Sequence, residues 1–238
     1  ALEQVRRTSE RNRSLADFYL VQRIPMAIVA SQLAHDQVGF AEYIRSLDRD
    51  IAACVGTAGE RAAAMARIEA HRRIGAVLDT YAAWTAATMG VLGTLRSTFG
   101  RLLVAQSTLD ELRGLREQHQ PHDQATFGVA WRDGQFFRQE ITPEDTERVR
   151  SLITEQIARI EAACDVEPVE APDAPPELAA TLTDTFGASV LDPAYLAAAG
   201  GRLLISVDRY YREIALSSLG VPGAWLQATL MAGRTARR

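Results

Sequence analysis

Lysine is missing altogether, since all 26 Lys+Arg residues of this 238-residue chain are arginine. A phosphate-cradling loop ending in Gly-Lys-Ser/Thr is therefore excluded, as are Schiff-base lysine catalysis and a kinase-type strand lysine. With so much alanine alongside, the absence reads as compositional bias rather than as selection for arginine chemistry. Cysteine is scarce: Cys54 and Cys164 are far apart and form neither a zinc-type spacing nor a disulfide framework. Of the four histidines only His119 and His122 are neighbours, a weak zinc signal. No signal-peptide pattern opens the sequence, so a reducing cytoplasm is the expected setting. A net charge of -4 supplies no global basic field, and any nucleic-acid contact must come from a local patch. Long apolar runs are also lacking. Ile74 to Leu95 is nearly uncharged, but Asp79, Thr80, Thr85, Thr88, Gly90 and Gly93 interrupt it, so a buried strand feeding a helix fits better than a membrane span.

What is present is an ordinary globular composition, 47% apolar and 24% charged. Residues 1–23 and Ile24 to Leu47 read mainly as helices, with an interruption expected at Gly39. Ile51 to Val55 reads as a short strand, Glu60 to Arg73 as a helix, Gly75 to Asp79 as a strand and Tyr81 to Phe99 as one helix. Arg101 to Ala105 is a further strand, leading into a helix over Ser107 to Gln118. Such alternation implies a parallel sheet. Asp133-Gly134 between two aromatic-bearing runs predicts a β-hairpin over Thr126 to Ile141. Thr142-Pro143-Glu144-Asp145 then starts a helix to about Ala163, and Val166 to Pro176 reads as a polar linker. Helical patterns resume at Glu177. Arg202 to Val207 is another buried strand, followed by a helix over Tyr210 to Leu219 and a short one around Ala224 to Met231. The expected architecture is an α/β three-layer sandwich with a central, mainly parallel sheet. Its organisation is a helical extension over 1–50 and one domain over 51–238, with a hairpin, helix and linker inserted at about 126–176.

Ligands of open α/β sheets bind beyond the carboxyl ends of the strands. Three acids meet that test: Asp79 after one strand, Asp208 after another, and Glu111 in the first turns of the helix after a third. Asp192, before Pro193, is a fourth candidate. Any one of them alone reads as a helix cap or a first-turn carboxylate. Three in one sheet repel one another unless a cation sits between them, and hard oxygen ligands suit Mg²⁺ or Mn²⁺.

These segments, Ala76-Val-Leu-Asp-Thr80, the Asp110-Glu111-Leu112 context and Leu203-Leu-Ile-Ser-Val-Asp-Arg209, resemble the PIN-domain ribonucleases in order and separation. The resemblance covers about Ile51 to Met231. It implies a metal-dependent endoribonuclease acting on RNA, with Asp79 as first-strand acid, Glu111 as helix acid and Asp208 as last-strand acid, and with Asp192 as the remaining acid. Asp192 stands in a shorter helix than the family pattern has, which keeps Asp184 as a rival. The inserted segment and N-terminal helices look more like larger PIN domains attached to other modules, with a homo-oligomer as the other association and no membrane. The metal ligands would be Asp79, Glu111 and Asp208 with Mg or Mn, whose bound water would be the nucleophile. Thr80 and Ser206 are candidates for orienting ligands, although hydroxyls there also serve as caps. Arg209 and Arg212 are candidates for substrate phosphates, with a solvated helix face as the plain alternative. Trp131, Phe136 and Phe137 are candidates for base stacking, though hairpin aromatics more commonly cover a core edge; Trp225 and Tyr81 read as core.

Other classes fit poorly. Asp79-Thr-Tyr81 lacks the second acid of a haloacid-dehalogenase phosphatase, a receiver domain needs a lysine, and the glycines at 56, 59, 90 and 93 do not form GxGxxG. The serious competitor is a non-catalytic interaction or regulatory domain on the same scaffold. The discriminator is whether Asp79, Glu111 and Asp208 converge on one edge of the sheet within reach of a common ion.

Overall fold

A computed structural model describes residues 2–32, 36–170, 177 and 183–235 of the chain. Three helices come first: α1 (Leu2–Gln22), α2 (Met26–Gln32) and α3 (Gln37–Ser46), followed by α4 (Ala58–His71). The alternating part then runs β1 (Ala76–Leu78), α5 (Thr80–Thr88), α6 (Leu92–Phe99), β2 (Leu102–Ala105) and α7 (Gln106–Gln118). A hairpin, β3 (Thr126–Arg132) and β4 (Gln135–Ile141), leads to α8 (Pro143–Ala163) and β5 (Asp165–Glu167). The last elements are α9 (Ala188–Ala199), β6 (Leu203–Ile205), α10 (Arg209–Leu219), β7 (Gly223–Ala224) and α11 (Leu226–Thr235).

Five strands form one all-parallel sheet in the order β5-β2-β1-β6-β7. In register, Val77 lies beside Leu103 on one side and Leu204 on the other. Strand alternation sorts these residues onto two faces. Ala76, Leu78, Leu102, Val104, Leu203 and Ile205 join the larger core beneath α1 to α8 and α11, whereas Val77, Leu103, Ala105 and Leu204 pack with residues of α9 and α10. The result is a three-layer α/β sandwich. Both faces of each central strand are covered, which explains why these strands read as continuous apolar runs rather than alternating ones.

Several expected elements differ. Ile51 to Val55 is an irregular connection, not a strand, because its backbone bonds go to a helix start instead of a neighbouring strand: the Ala52 carbonyl accepts from the Arg209 N–H at 2.7 Å and the Ala53 carbonyl from the Arg212 guanidinium at 2.6 Å. The single helix expected from Tyr81 to Phe99 is two, α5 and α6, broken at Gly90, whose φ of 65° is left-handed. Gly39 is not an interruption. It lies in the first turn of α3, where its N–H donates to Asp36 Oδ1 at 2.7 Å, and a Cβ there would come within 3.1 Å of the other carboxylate oxygen. The helix expected from Ala224 begins two residues later, after β7.

The largest correction concerns the expected linker. Asp165–Glu167 is β5, paired in parallel with β2, and its acids meet Arg101 at 2.9 Å each. Charged side chains on an edge strand gave it a linker's composition. Residues 171–176 of the expected linker lie outside the described residues. The helix before it, α8, carries the anticipated Thr142/Asp145 capping box and buries Ile153, Ile157 and Ile160 in the main core. The hairpin is a two-stranded sheet of its own, turning on Asp133 (φ 50°) and Gly134 (φ 80°), and it rests on α1, where Ser9 Oγ donates to the Trp131 carbonyl at 2.7 Å. Replacing 126–141 by a short loop should therefore leave a cooperatively unfolding protein. Extending the deletion to 176 should abolish the thermal transition, because it removes α8 and β5; survival of the transition would contradict this account.

Candidate active site

Asp79 and Asp208 follow two neighbouring strands, β1 and β6, and each caps the helix that comes next. Asp79 Oδ1 accepts from the Ala82 N–H at 2.7 Å, and Asp208 Oδ1 from the Tyr210 N–H at 3.0 Å. Both are 4% exposed. An uncharged serine or asparagine would cap as well, so charge at two adjacent buried caps is not explained by capping. Burial is the main cause raising the Asp79 pKa to about 6, moderated by the Ser206 hydroxyl, the Ala82 N–H and the Arg212 charge. Asp208 rises to about 7, again chiefly from burial, with the Met26 and Tyr210 N–H groups lowering it and Asp79 raising it further.

Arg212 supplies the internal compensation. Only 7% exposed, its guanidinium donates to the carbonyls of Ser206 (2.6 Å), Val207 (3.2 Å) and Ala53 (2.6 Å) while lying close enough to feel both aspartates. That placement withdraws it from the solvent-facing position a phosphate contact requires. Arg209 pairs with Glu213 at 3.1 Å beside the Tyr210 ring. Ser206 is fully buried, its hydroxyl accepting from the Asp208 N–H at 3.1 Å, and Thr80, equally buried, bonds Thr108 at 3.4 Å. Both hydroxyls also bear on the acids, Ser206 on Asp79 and Thr80 on Glu111, each lowering the pKa of its carboxyl.

Glu111, on α7, reaches the N-terminal helices. Its Oε1 accepts from the Gln37 N–H at 2.7 Å and its Oε2 from Gln37 Nε2 at 2.8 Å. Burial raises its pKa, opposed by the Gln37 N–H, and Asp36 raises it further. A cleft of about 320 Å³ opens beside it, lined by Ser31, Asp36, Gln37, Phe186 and Ser189 among others. Asp208 is gripped by the same N-terminal region: Met26 N–H donates to Oδ2 at 2.5 Å and the Tyr19 hydroxyl to Oδ1 at 3.3 Å. Asp192 lies inside α9 rather than ahead of a helix, half-buried, with burial raising its pKa. The following Pro193 leaves the Ser189 carbonyl without its helical donor, and Gln37 Nε2 approaches that oxygen at 3.5 Å. Asp184 is exposed in a helical turn.

The three acids of the resemblance therefore surround one end of the sheet, but they do not converge. Among the described residues no three His, Cys, Asp or Glu side chains are placed to hold one ion. The donor chemistry suits Mg²⁺ or Mn²⁺. The arrangement does not, because no three of the described acids share one point and Asp208 and Glu111 are each held by donors of the N-terminal helices. Tyr19, Met26 and Gln37 were not legible as partners of these acids, since their separations of 189, 182 and 74 residues leave no local signal. Trp225 and Tyr81 are buried as expected, whereas Phe136 and Phe137 are 41% and 48% exposed and do not cover a core edge.

A parallel α/β sandwich with acids after neighbouring strands agrees with a PIN-like domain. The model of the PIN domain associated with the TPR-GreAB-C-PIN system matches residues 77–217, more than half of the chain, and the chain belongs to that family. No curated protein and no solved structure matches it. None of its described helices is long and apolar enough to cross a membrane.

The raised carboxyl pKa values fix a pH dependence. Asp79 and Asp208 bind protons more tightly folded than unfolded, where the ordinary value is 3.8. Their protonation stabilises the fold fully below about pH 4, and that stabilisation is lost as pH rises through 6 to 7. The metal-free thermal midpoint should accordingly be several degrees lower at pH 8 than at pH 5. A midpoint that rises over this range would show that the two carboxylates are better compensated than their burial indicates.

Proposed function

We propose that this domain is a divalent-metal-dependent nuclease that hydrolyses RNA, with Asp79, Glu111 and Asp208 as its acids and Asp192 as an accessory one. The observation that carries this reading is the pair Asp79 and Asp208: two buried carboxylates at neighbouring strand ends, with Asp79 adding to the rise at Asp208 and Glu111 adding to the rise at Asp79. Such a pair opposes folding by its repulsion and burial, Arg212 offsets this only in part because both pKa values stay raised, and a cation would add the remaining compensation. Mg²⁺ or Mn²⁺ is the group that the family implies, and the arrangement described here does not hold it, so the reactive form requires Asp208 and Glu111 to exchange their present donors. Arg209 would bind substrate phosphate once released from Glu213. The TPR and GreAB-C modules in the family's description are the natural associates of such a domain.

A second reading, a non-catalytic interaction domain, is favoured by the hold of the N-terminal helices on Asp208 and Glu111. Incubation of the whole chain with end-labelled single-stranded RNA and Mn²⁺, with a chelator control, separates the two. Cleavage that the chelator stops is expected. Intact RNA across all Mn²⁺ concentrations, with the protein folded, would favour the interaction domain.

A further inference from the structure

The donors on the acid site share one origin. Met26 is the first residue of α2 and Gln37 the first of α3, and N–H groups at helix starts have no partner inside their own helix. Asp36 satisfies the Gly39 N–H and leaves that of Gln37 to Glu111. Glu111 thus closes on both the backbone and the side chain of one residue, and Asp208 receives a second helix start together with the Tyr19 hydroxyl. Each of these oxygens has two lone pairs, so a single donor does not fill it, but a partly positive N–H held against the carboxylate repels a cation drawn to the same oxygens. The contact at Gln37 borders the cleft beside Glu111, so it can open toward that space, while Tyr19 and Phe40 on the flanking helices are anchored in the core.

We propose that the starts of α2 and α3 are an autoinhibitory contact, whose donors at Met26 and Gln37 occupy the carboxylate oxygens of Asp208 and Glu111 in competition with a divalent cation. The inference rests on the cation-site reading above and adds its regulation: metal loading and release of these two helix starts are one coupled step. Anything that pulls the N-terminal helices away activates the site, and anything that clamps them silences it. By linkage, the cation must weaken the contact by the same factor as the contact weakens the cation.

Gln37→Pro tests this in the whole chain. Proline is accommodated at the first position of a helix, and Asp36 already has the extended backbone (φ -73°, ψ 161°) that a following proline demands. The substitution removes both donors to Glu111 at once. Mn²⁺ affinity, measured by calorimetry, should tighten at least about tenfold, as expected for the loss of two charge-assisted competitors. In the unmodified chain, amide exchange at Met26 and Gln37 should accelerate when Mg²⁺ is added to saturation. Should the proline variant not fold, Gln37→Leu removes only the side-chain donor and should shift affinity less, in the same direction. Equal Mn²⁺ affinity in variant and parent, with exchange unchanged by metal, would overturn the competition while leaving the cation site intact. Absence of Mn²⁺ binding in both would remove the cation-site reading and this inference together.

Discussion

Asp79→Asn should abolish RNA cleavage, by at least about a hundredfold, and at the same time raise the metal-free thermal midpoint at pH 8. The loss follows from removing one of the acids that would hold the cation, whose contribution to such reactions is several kcal/mol. The gain follows from the site's geometry. Asparagine keeps the oxygen that receives the Ala82 N–H, so the cap on α5 survives. What disappears is a buried charge held at a pKa of about 6, which Glu111 repels and which itself raises the pKa of Asp208. At one pKa unit per 1.36 kcal/mol the relief is on the order of 1–3 kcal/mol, partly cancelled by the lost attraction to Arg212. For a chain of this size that is a rise of a few degrees. A clear fall in the midpoint would show that Asp79 is a structural charge, needed by Arg212 more than it is strained by burial.

Arg212→Met should have the opposite effect and the largest one on stability. The guanidinium holds three backbone carbonyls and faces two buried aspartates, so its removal leaves acceptors unsatisfied and carboxylates uncompensated together. Breaking one side of such a buried charged group costs roughly 3–5 kcal/mol, a drop on the order of 10 °C in the thermal midpoint. Gly223 packs so closely on the arginine's stem that a Cβ there would come within 2.9 Å of it, which leaves little room for the neighbourhood to rearrange. A loss of less than about 1 kcal/mol, with RNA affinity weakened and less dependent on salt, would instead return Arg212 to the phosphate role its sequence position implied.

The sequence exposed the parts of this fold that are locally encoded. β1, β2 and β6 are apolar runs ended by polar residues, and Asp133-Gly134 and Thr142-Pro143 are turn and cap signals needing no tertiary context. Strand ends in turn located Asp79 and Asp208. Elements defined by distant partners were hidden. Asp165–Glu167 is a strand because β2 pairs with it and Arg101 neutralises it, and Ile51–Val55 is not one because α10 takes its carbonyls. The same limit applied to the site. Its acids could be found by position, whereas the grip of Tyr19, Met26 and Gln37 on them arises only when the N-terminal helices fold over the sheet's end.

The central claim, that these acids are kept for a divalent cation, is tested most directly by the thermal midpoint at pH 8 with and without Mn²⁺, in the parent chain and in Asp79→Asn. A ligand bound only by the folded state stabilises it by about 2.7 kcal/mol at a hundred times its dissociation constant. The account predicts a Mn²⁺-dependent rise of several degrees in the parent that is lost in Asp79→Asn. An equal response in both proteins, or none in the parent at any Mn²⁺ concentration, would contradict it.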